Sequence, residues 1–373
     1  MALIFSPLTL RSTTFRNRVW VSPMCQYSSV DGMPTDWHLV HLGGLAAGGA
    51  GLVMTEATAV TPQGRISPFD AGIWHDGQAD AYRRITAFVR EQGAVPGIQL
   101  AHAGRKASVR RPWEGRGHVP AAEGGWTTVG ASPIPFDDLP APAALDADDL
   151  AELVESFAAA ALRADRAGFE VIELHAAHGY LLHQFLSPLS NQRDDGYGGD
   201  LAGRSRLLIE VVDAVRAVWP AGRPLLVRLS GHDWADGGLT ASDAVDVCVA
   251  LTGHGVDLVD VSSGGLVAQQ RIPTGPGYQV PLARAVREGS GLPTAAVGLV
   301  TDPQQAEQVL AEGSADAVFL ARALLRTPHW PLMAAHELGV PARWPAPYRR
   351  AAPTGAPVDV LPAAVWGGER ARV

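Results

Sequence analysis

The densest chemistry in the chain lies in Glu173-Leu-His175-Ala-Ala-His178-Gly-Tyr180-Leu-Leu, following the apolar run from Phe169 to Leu174. Two imidazoles can donate hydrogen bonds to a carbonyl oxygen, and a phenol beside them can deliver a proton. That set suits an enone that is polarised at its oxygen and protonated after hydride addition. Two other readings stay open. Nearby histidines often begin a zinc site, with His102 as the best third ligand. Both imidazoles can equally be satisfied structural side chains.

Further polar residues follow other short apolar runs: Ser22-Pro23-Met24-Cys25-Gln26-Tyr27, Glu56-Ala57, Gln99 to His102, Arg228, Ser262 to Gly265, Val297-Gly298-Leu299 and Ala321-Arg322. The set is polar and redox-suited, with few carboxylates and no glycosidase pair. Gly298 and Ala321 offer backbone amides and Arg322 a charge-assisted clamp, a pattern that suits a phosphate. The alternative is that Gly298 only turns the chain and Arg322 pairs with a surface acid. A buried Arg228 must be paired, either with a structural carboxylate or with the electron-rich edge of a reduced flavin. Cys25 is an inert buried thiol or a redox-tuning neighbour. Cys248 sits on the apolar side of a predicted helix and belongs to the core.

These positions need a frame that brings them together. Apolar runs predict strands at 19–22, 51–55, 97–100, 171–174, 225–229, 258–262, 294–297 and 317–320. Amphipathic stretches predict helices at 79–91, 146–167, 205–218, 241–252 and 303–312. Serial strand-then-helix units imply an α/β fold with a parallel sheet, and eight strands close a (β/α)8 TIM barrel. A doubly wound sheet would want a Gly-rich turn after the first strand, and Ser22-Pro-Met-Cys25 offers none. Leu3 to Arg18 is expected to form a hairpin capping the barrel bottom. Residues 102–145 read as a long loop insertion after the third strand that acts as a lid. Residues 1–340 thus form one domain. The Pro- and Arg-rich tail, 341–373, is expected to pack on a neighbouring subunit or fray.

Composition bounds the function. The chain has 373 residues, 47% hydrophobic and 18% charged, enough for a large core. A net charge of −8 argues against nucleic-acid or anionic-membrane partners. No apolar run reaches the ~18 residues of a membrane span. The start lacks the features of a signal peptide, and two cysteines cannot make a disulfide scaffold, so a cytoplasmic protein is expected. The sole lysine, Lys106, lies several residues beyond the third strand, which weighs against a Schiff-base aldolase.

Taken in order, several motifs resemble the old yellow enzyme family of FMN-dependent ene-reductases, specifically its thermophilic-like branch. They are Asn17-Arg18, Ser22-Pro-Met-Cys25-Gln-Tyr27, Gln99-Leu-Ala-His-Ala-Gly-Arg-Lys106, His175-Ala-Ala-His-Gly-Tyr-Leu, Phe185-Leu-Ser-Pro-Leu-Ser-Asn191 with Arg193, Tyr197-Gly-Gly and Ala296-Val-Gly298. The resemblance implies noncovalent FMN, lined by Ser22, Pro23, Met24 and Cys25, touched by Ala57 and Gln99, and neutralised by Arg228 when reduced. Gly298, Ala321 and Arg322 would hold its phosphate. His175 and His178 would bind the substrate oxygen, Tyr180 would donate the proton, and Tyr27 would line the substrate pocket. NADPH, or NADH, would be the reductant, and activated alkenes the substrates. A tail arginine, best matched by Arg350, would reach the next subunit's site in a homodimer or homotetramer. No metal is implied. The competing functions are a metal-dependent barrel aldolase or lyase, and a flavin redox sensor without turnover. Two positions depart from the family pattern. Ala321 replaces a glycine before the phosphate arginine. Gly203 replaces an asparagine before Arg204, which is expected to loosen the loop after strand four.

Overall fold

The computed structural model describes residues 2–354 and 358–361. Eight parallel strands follow one another in chain order around a closed barrel. They are Val19–Val21, Leu52–Ala59, Val95–Ala101, Val171–Ala176, Leu225–Ser230, Leu258–Ser262, Thr294–Ala296 and Ala317–Leu320. The last pairs with the first through Leu320 and Val21, which closes the cylinder. All of their residues are buried. Helices cover the outer face and side chains fill the interior, so the strands read as continuous apolar runs.

The second and third strands run longer than expected. The ladder between them shifts between Met54 and Ala57. Such a bulge bends the strand and re-aims its side chains. It carries the second strand to Ala59 and puts Glu56 into the barrel wall.

The predicted helices are present at Asp76–Glu91, Ala147–Arg166, Leu201–Val218, Ala241–Leu251 and Pro303–Ala311. Asp146 and Asp302 cap two of them through backbone amides. Sequence periodicity misses the helix Asp36–Ala47 because it is apolar nearly all round and carries Gly43 and Gly44. Its legible signal is the cap, in which the Thr35 amide donates to His38 Nδ1 at 2.9 Å. Val280–Ser290 is also missed, although Pro281 at its start and the left-handed Gly291 after its end mark it.

Leu8–Leu10 and Thr13–Phe15 form the expected antiparallel hairpin. Leu10 and Phe15 close the lower barrel with Trp20, Leu52, Met54 and Phe319. Phe15 and Phe319 flank Trp20 at centroid distances of 4.7 and 5.4 Å. This apolar plug leaves the opposite, C-terminal face of the strands for polar chemistry.

The 102–145 insertion is ordered by three 3-10 turns and a short parallel pair, Val129–Gly130 with Ala143–Ala144. In the tail, Ala342–Pro345 pairs in parallel with Val358–Leu361, and Trp344 is buried. Residues 355–357 and 362–373 of the tail lie outside the described residues.

Candidate active site

The fourth strand delivers the histidines. His175 lies within it, and the chain then turns through His178 and Gly179 with φ of +59° and +75°. A Cβ on Gly179 would lie 2.2 Å from the Gly265 carbonyl oxygen, so the loops after strands four and six meet there. Lys106 ties them, donating to the carbonyls of His178 and Gly265 at 2.8 Å each. Its ammonium also sits 4.4 Å from the Phe136 ring centre and 5.2 Å from that of Tyr180. The lysine set aside on sequence spacing therefore stands inside the site. Burial, and then Arg105 beside it, pulls its amine down to about 7.

His175 packs edge-on against both His178, at 5.1 Å, and Tyr180, at 4.9 Å. Its Nδ1 accepts the Ala177 amide at 3.3 Å, which assigns the ring proton to Nε2 as an outward donor. His178 Nε2 lies 2.6 Å from Ser262 Oγ. Burial, followed by the charge of Arg228, holds both imidazoles well below their ordinary range, so both are neutral at neutral pH. Burial pushes the Tyr180 phenol up, so it keeps its proton.

Below them lies a buried polar floor. Gln99 Nε2 donates to Glu173 Oε1 at 2.7 Å. Arg228 donates from Nη1 to Ser22 Oγ at 3.1 Å, and its Nε lies 3.1 Å from Asp260 Oδ2. Arg228 thus has the structural carboxylate that one reading required, while its head also reaches the polar loop of strand one. Burial raises both Glu173 and Asp260, Glu173 also because Asp260 lies close. Arg228→Met should strand these acids and destabilise the protein by about 3–5 kcal/mol at neutral pH. The loss should shrink in acid, where the carboxyls are neutral in either state. Urea unfolding of flavin-free protein at two pH values checks both the size and the trend.

The loop after strand one carries Pro23, Met24, Cys25 and Tyr27, all half-buried. It is pinned from beneath. The Gln26 amide donates to Glu56 Oε2 at 2.9 Å, and Glu56 Oε1 meets His38 Nε2 at 2.9 Å. Sequence reasoning gave Glu56 no role and omitted His38, because neither the bulge nor the helix behind it was foreseen. Ala57 packs in a small apolar cluster against Cys25, Tyr27 and Tyr180. Burial, then Asp70 and Glu56, pushes the Cys25 thiol well up. His102 is buried, and its Nδ1 accepts the Gly104 amide at 3.1 Å. Among the described residues no three His, Cys, Asp or Glu side chains are grouped to hold a metal ion.

The ends of strands seven and eight line a cleft of about 220 Å³ with Gly298, Ala321, Arg322, Tyr278 and Gln279. Gly298 has φ of +116°, and a Cβ there would lie 2.9 Å from Gln279 Nε2. Ala321 has a negative φ of −113°, so the position does not call for the positive φ that glycine supplies. Gly203 does not loosen its loop. A Cβ there would lie 2.1 Å from the Gly198 oxygen, while its amide donates to Asp200 Oδ1 at 2.9 Å. Glycine is what lets this turn pack closely. Tyr278 and Gln279 were missed because they follow Gly275-Pro276-Gly277, away from any strand end. Arg350 is exposed on the turn Ala346–Ala351.

A profile described as the NADH:flavin oxidoreductase / NADH oxidase family matches residues 3–340. The chain belongs to this family. Other sequences related to this flavin oxidoreductase include an NADPH dehydrogenase of Geobacillus thermodenitrificans, 48% identical over 93% of this chain and 98% of its own. An NADPH dehydrogenase of Listeria innocua is 46% identical over 94% and 99%. Among solved structures, morphinone reductase superposes with a TM-score of 0.75 at 27% identity, covering 90% of each chain. The old yellow enzyme homologue of Zymomonas mobilis gives 0.74 at 25%, over 90% of this chain and 93% of that one.

Proposed function

We propose that this oxidoreductase is an FMN-dependent NADPH dehydrogenase that reduces the C=C bond of α,β-unsaturated carbonyls and similar activated alkenes. The observation that carries the reading is the His175, His178 and Tyr180 cluster above a floor bearing one buried guanidinium. FMN fits the residues present. The cleft at Gly298, Ala321 and Arg322 suits a phosphate, and Ser22, Gln99 and Arg228, from strands one, three and five, are the buried polar side chains that would hold a planar ring by hydrogen bonds. Bound noncovalently, FMN would carry hydride from NADPH, or NADH, to the substrate's β-carbon. Arg228 would hold the ring through its guanidinium and offset negative charge there, Pro23, Met24, Cys25 and Ala57 would wall it, and Tyr27 would line the substrate side. The neutral His175 Nε2 donates to the substrate oxygen beside His178, and the Tyr180 phenol gives its proton to the α-carbon.

A redox-sensing reading of Cys25 loses weight, because a sensor thiol needs thiolate character and this one is pushed the other way. Cys25→Ala should instead shift the flavin potential and leave turnover measurable. Potentiometry with dithionite and an indicator dye reads the shift. Total loss of turnover with FMN still bound would point to covalent chemistry. An assembly of two or four copies, with Arg350 reaching the next subunit's site, completes the proposal. Among the described residues no helix is long and apolar enough to cross a membrane.

One experiment tests the core reading. The purified protein should show a flavin spectrum, bleach on NADPH under anaerobic conditions, and recolour on adding a cyclic enone. Denaturation should release FMN. A colourless protein that cannot be reconstituted with FMN, or a bleached flavin that enones leave unchanged, would sink it.

A further inference from the structure

The loop after strand two holds a buried acid that the chemistry above does not use. Asp70 is 1% exposed. Its Oδ2 accepts the Ile66 amide and its Oδ1 the Ser67 hydroxyl, both at 2.7 Å. Asp70 and Tyr180 line one small cavity together with Ala57, Ala59, Gly64 and Arg65. Its volume is about 10 Å³, the room that one ordered water needs. The Tyr180 hydroxyl has no hydrogen-bond partner among the described residues, so no side chain stands ready to restore its proton directly. The Asp70 carboxyl takes hydrogen bonds from the Ile66 amide and from the hydroxyl and amide of Ser67, which leaves one of its roughly four acceptor positions for a water.

We propose that Asp70 resupplies the proton of Tyr180 through a water in the cavity they share. The inference rests on the proton-donor reading of Tyr180 given above. The step balances as proton transfer alone. Tyr180 gives its phenolic proton to the α-carbon and becomes a phenolate. The phenolate takes a proton from the cavity water, and the water takes one from the Asp70 carboxyl. Asp70, left as carboxylate, regains a proton from solvent past half-buried Arg65. A carboxylate held fully charged could not serve. Burial, with Glu56 beside it, raises Asp70 to about 7, so a proton is at hand in neutral solution. Asp70 acts through Tyr180 and touches no reacting atom.

The test is a single turnover of anaerobically pre-reduced protein with one equivalent of cyclic enone. Flavin reoxidation is followed in the visible and tyrosinate in the near ultraviolet. Wild type should reoxidise with only fleeting tyrosinate. Asp70→Asn keeps the shape of the loop and removes the proton, so reoxidation should keep its rate while tyrosinate lives markedly longer. Ala59→Val fills the cavity without altering Asp70 or Tyr180 and should prolong tyrosinate likewise, which keeps the idea testable if Asp70→Asn does not fold. Thr61→Ala removes the cap of the turn Pro62–Gly64, loosens the same loop without touching Asp70 and should match wild type. Wild-type tyrosinate lifetimes in Asp70→Asn or in Ala59→Val would overturn the proposal, with the proton then entering through the substrate mouth. So would a Thr61→Ala lifetime as long as that of Asp70→Asn, which would make Asp70 a loop brace. If enone fails to reoxidise the wild-type flavin, the ene-reductase reading itself fails, and that is seen before Asp70 is altered.

Discussion

His175→Ala is expected to slow enone reduction by on the order of 10²-fold, the usual cost of losing one oxyanion donor. The side chain sits 3% exposed at the end of strand four, its ring wedged between His178 and Tyr180. The Ala177 amide occupies Nδ1, so Nε2–H is the only donor this ring has left. Alanine removes that donor while Lys106, Ser230 and Ser262 still hold the loop around His178. Flavin reduction by NADPH should change far less than reoxidation by enone. Phenols, which mimic an enolate oxygen, should bind more weakly. The pH trend has a definite sign. Burial depresses both imidazoles, so the neutral donor form prevails from well below the ordinary histidine range upward. Raising the pH through ~6.5 should therefore not alter the reoxidation rate through these residues. Stopped-flow traces across that range decide the point. Abolition of activity by metal chelators would instead make the histidines ligands.

The barrel was legible because each strand is a buried apolar run followed by a polar end, and that contrast needs no tertiary knowledge. The cluster at 175–180 was legible for the same reason, since three chemically capable side chains lie within six positions. The residues that support the site were not. Glu56 acts on the Cys25 loop because a bulge rotates it into place, and a one-residue register shift leaves no mark in composition. His38 reaches Glu56 from a helix whose period was hidden by its uniform apolarity. Lys106 looked remote when counted in residues from its strand. A 3-10 turn at Gly104–Lys106 folds the chain back and brings its amine onto two active-site carbonyls. Asp70 drew no notice because one acid in a loop is ordinary, and only the cavity it shares with Tyr180 gives it a use.

Tyr180→Phe should separate the two halves of the catalytic cycle. Flavin reduction by NADPH creates no carbanion, so it needs no acid at this position. Enone reduction places charge at the α-carbon, and that charge must be quenched. The Tyr180 phenol is suited to this because burial, then the nearby Cys25, Tyr27 and Asp70, holds its proton on. A carboxyl with an ordinary pKa would already be ionised at neutral pH. Loss of one general acid costs ~10²–10⁴-fold, and the oxidative half-reaction with weakly activated enones should slow within that range. Phenylalanine keeps the ring that packs on His175 and lies under Lys106, so the pocket's shape should survive. Nitroalkenes give anions that are stable without protonation, so hydride transfer to them should be spared. Their anions should then linger and be protonated slowly by solvent. Stopped-flow measurement of each half-reaction, with an enone and then a nitroalkene, makes the comparison. Equal slowing of both half-reactions would reduce Tyr180 to a wall of the pocket and move the proton's source to water or another side chain.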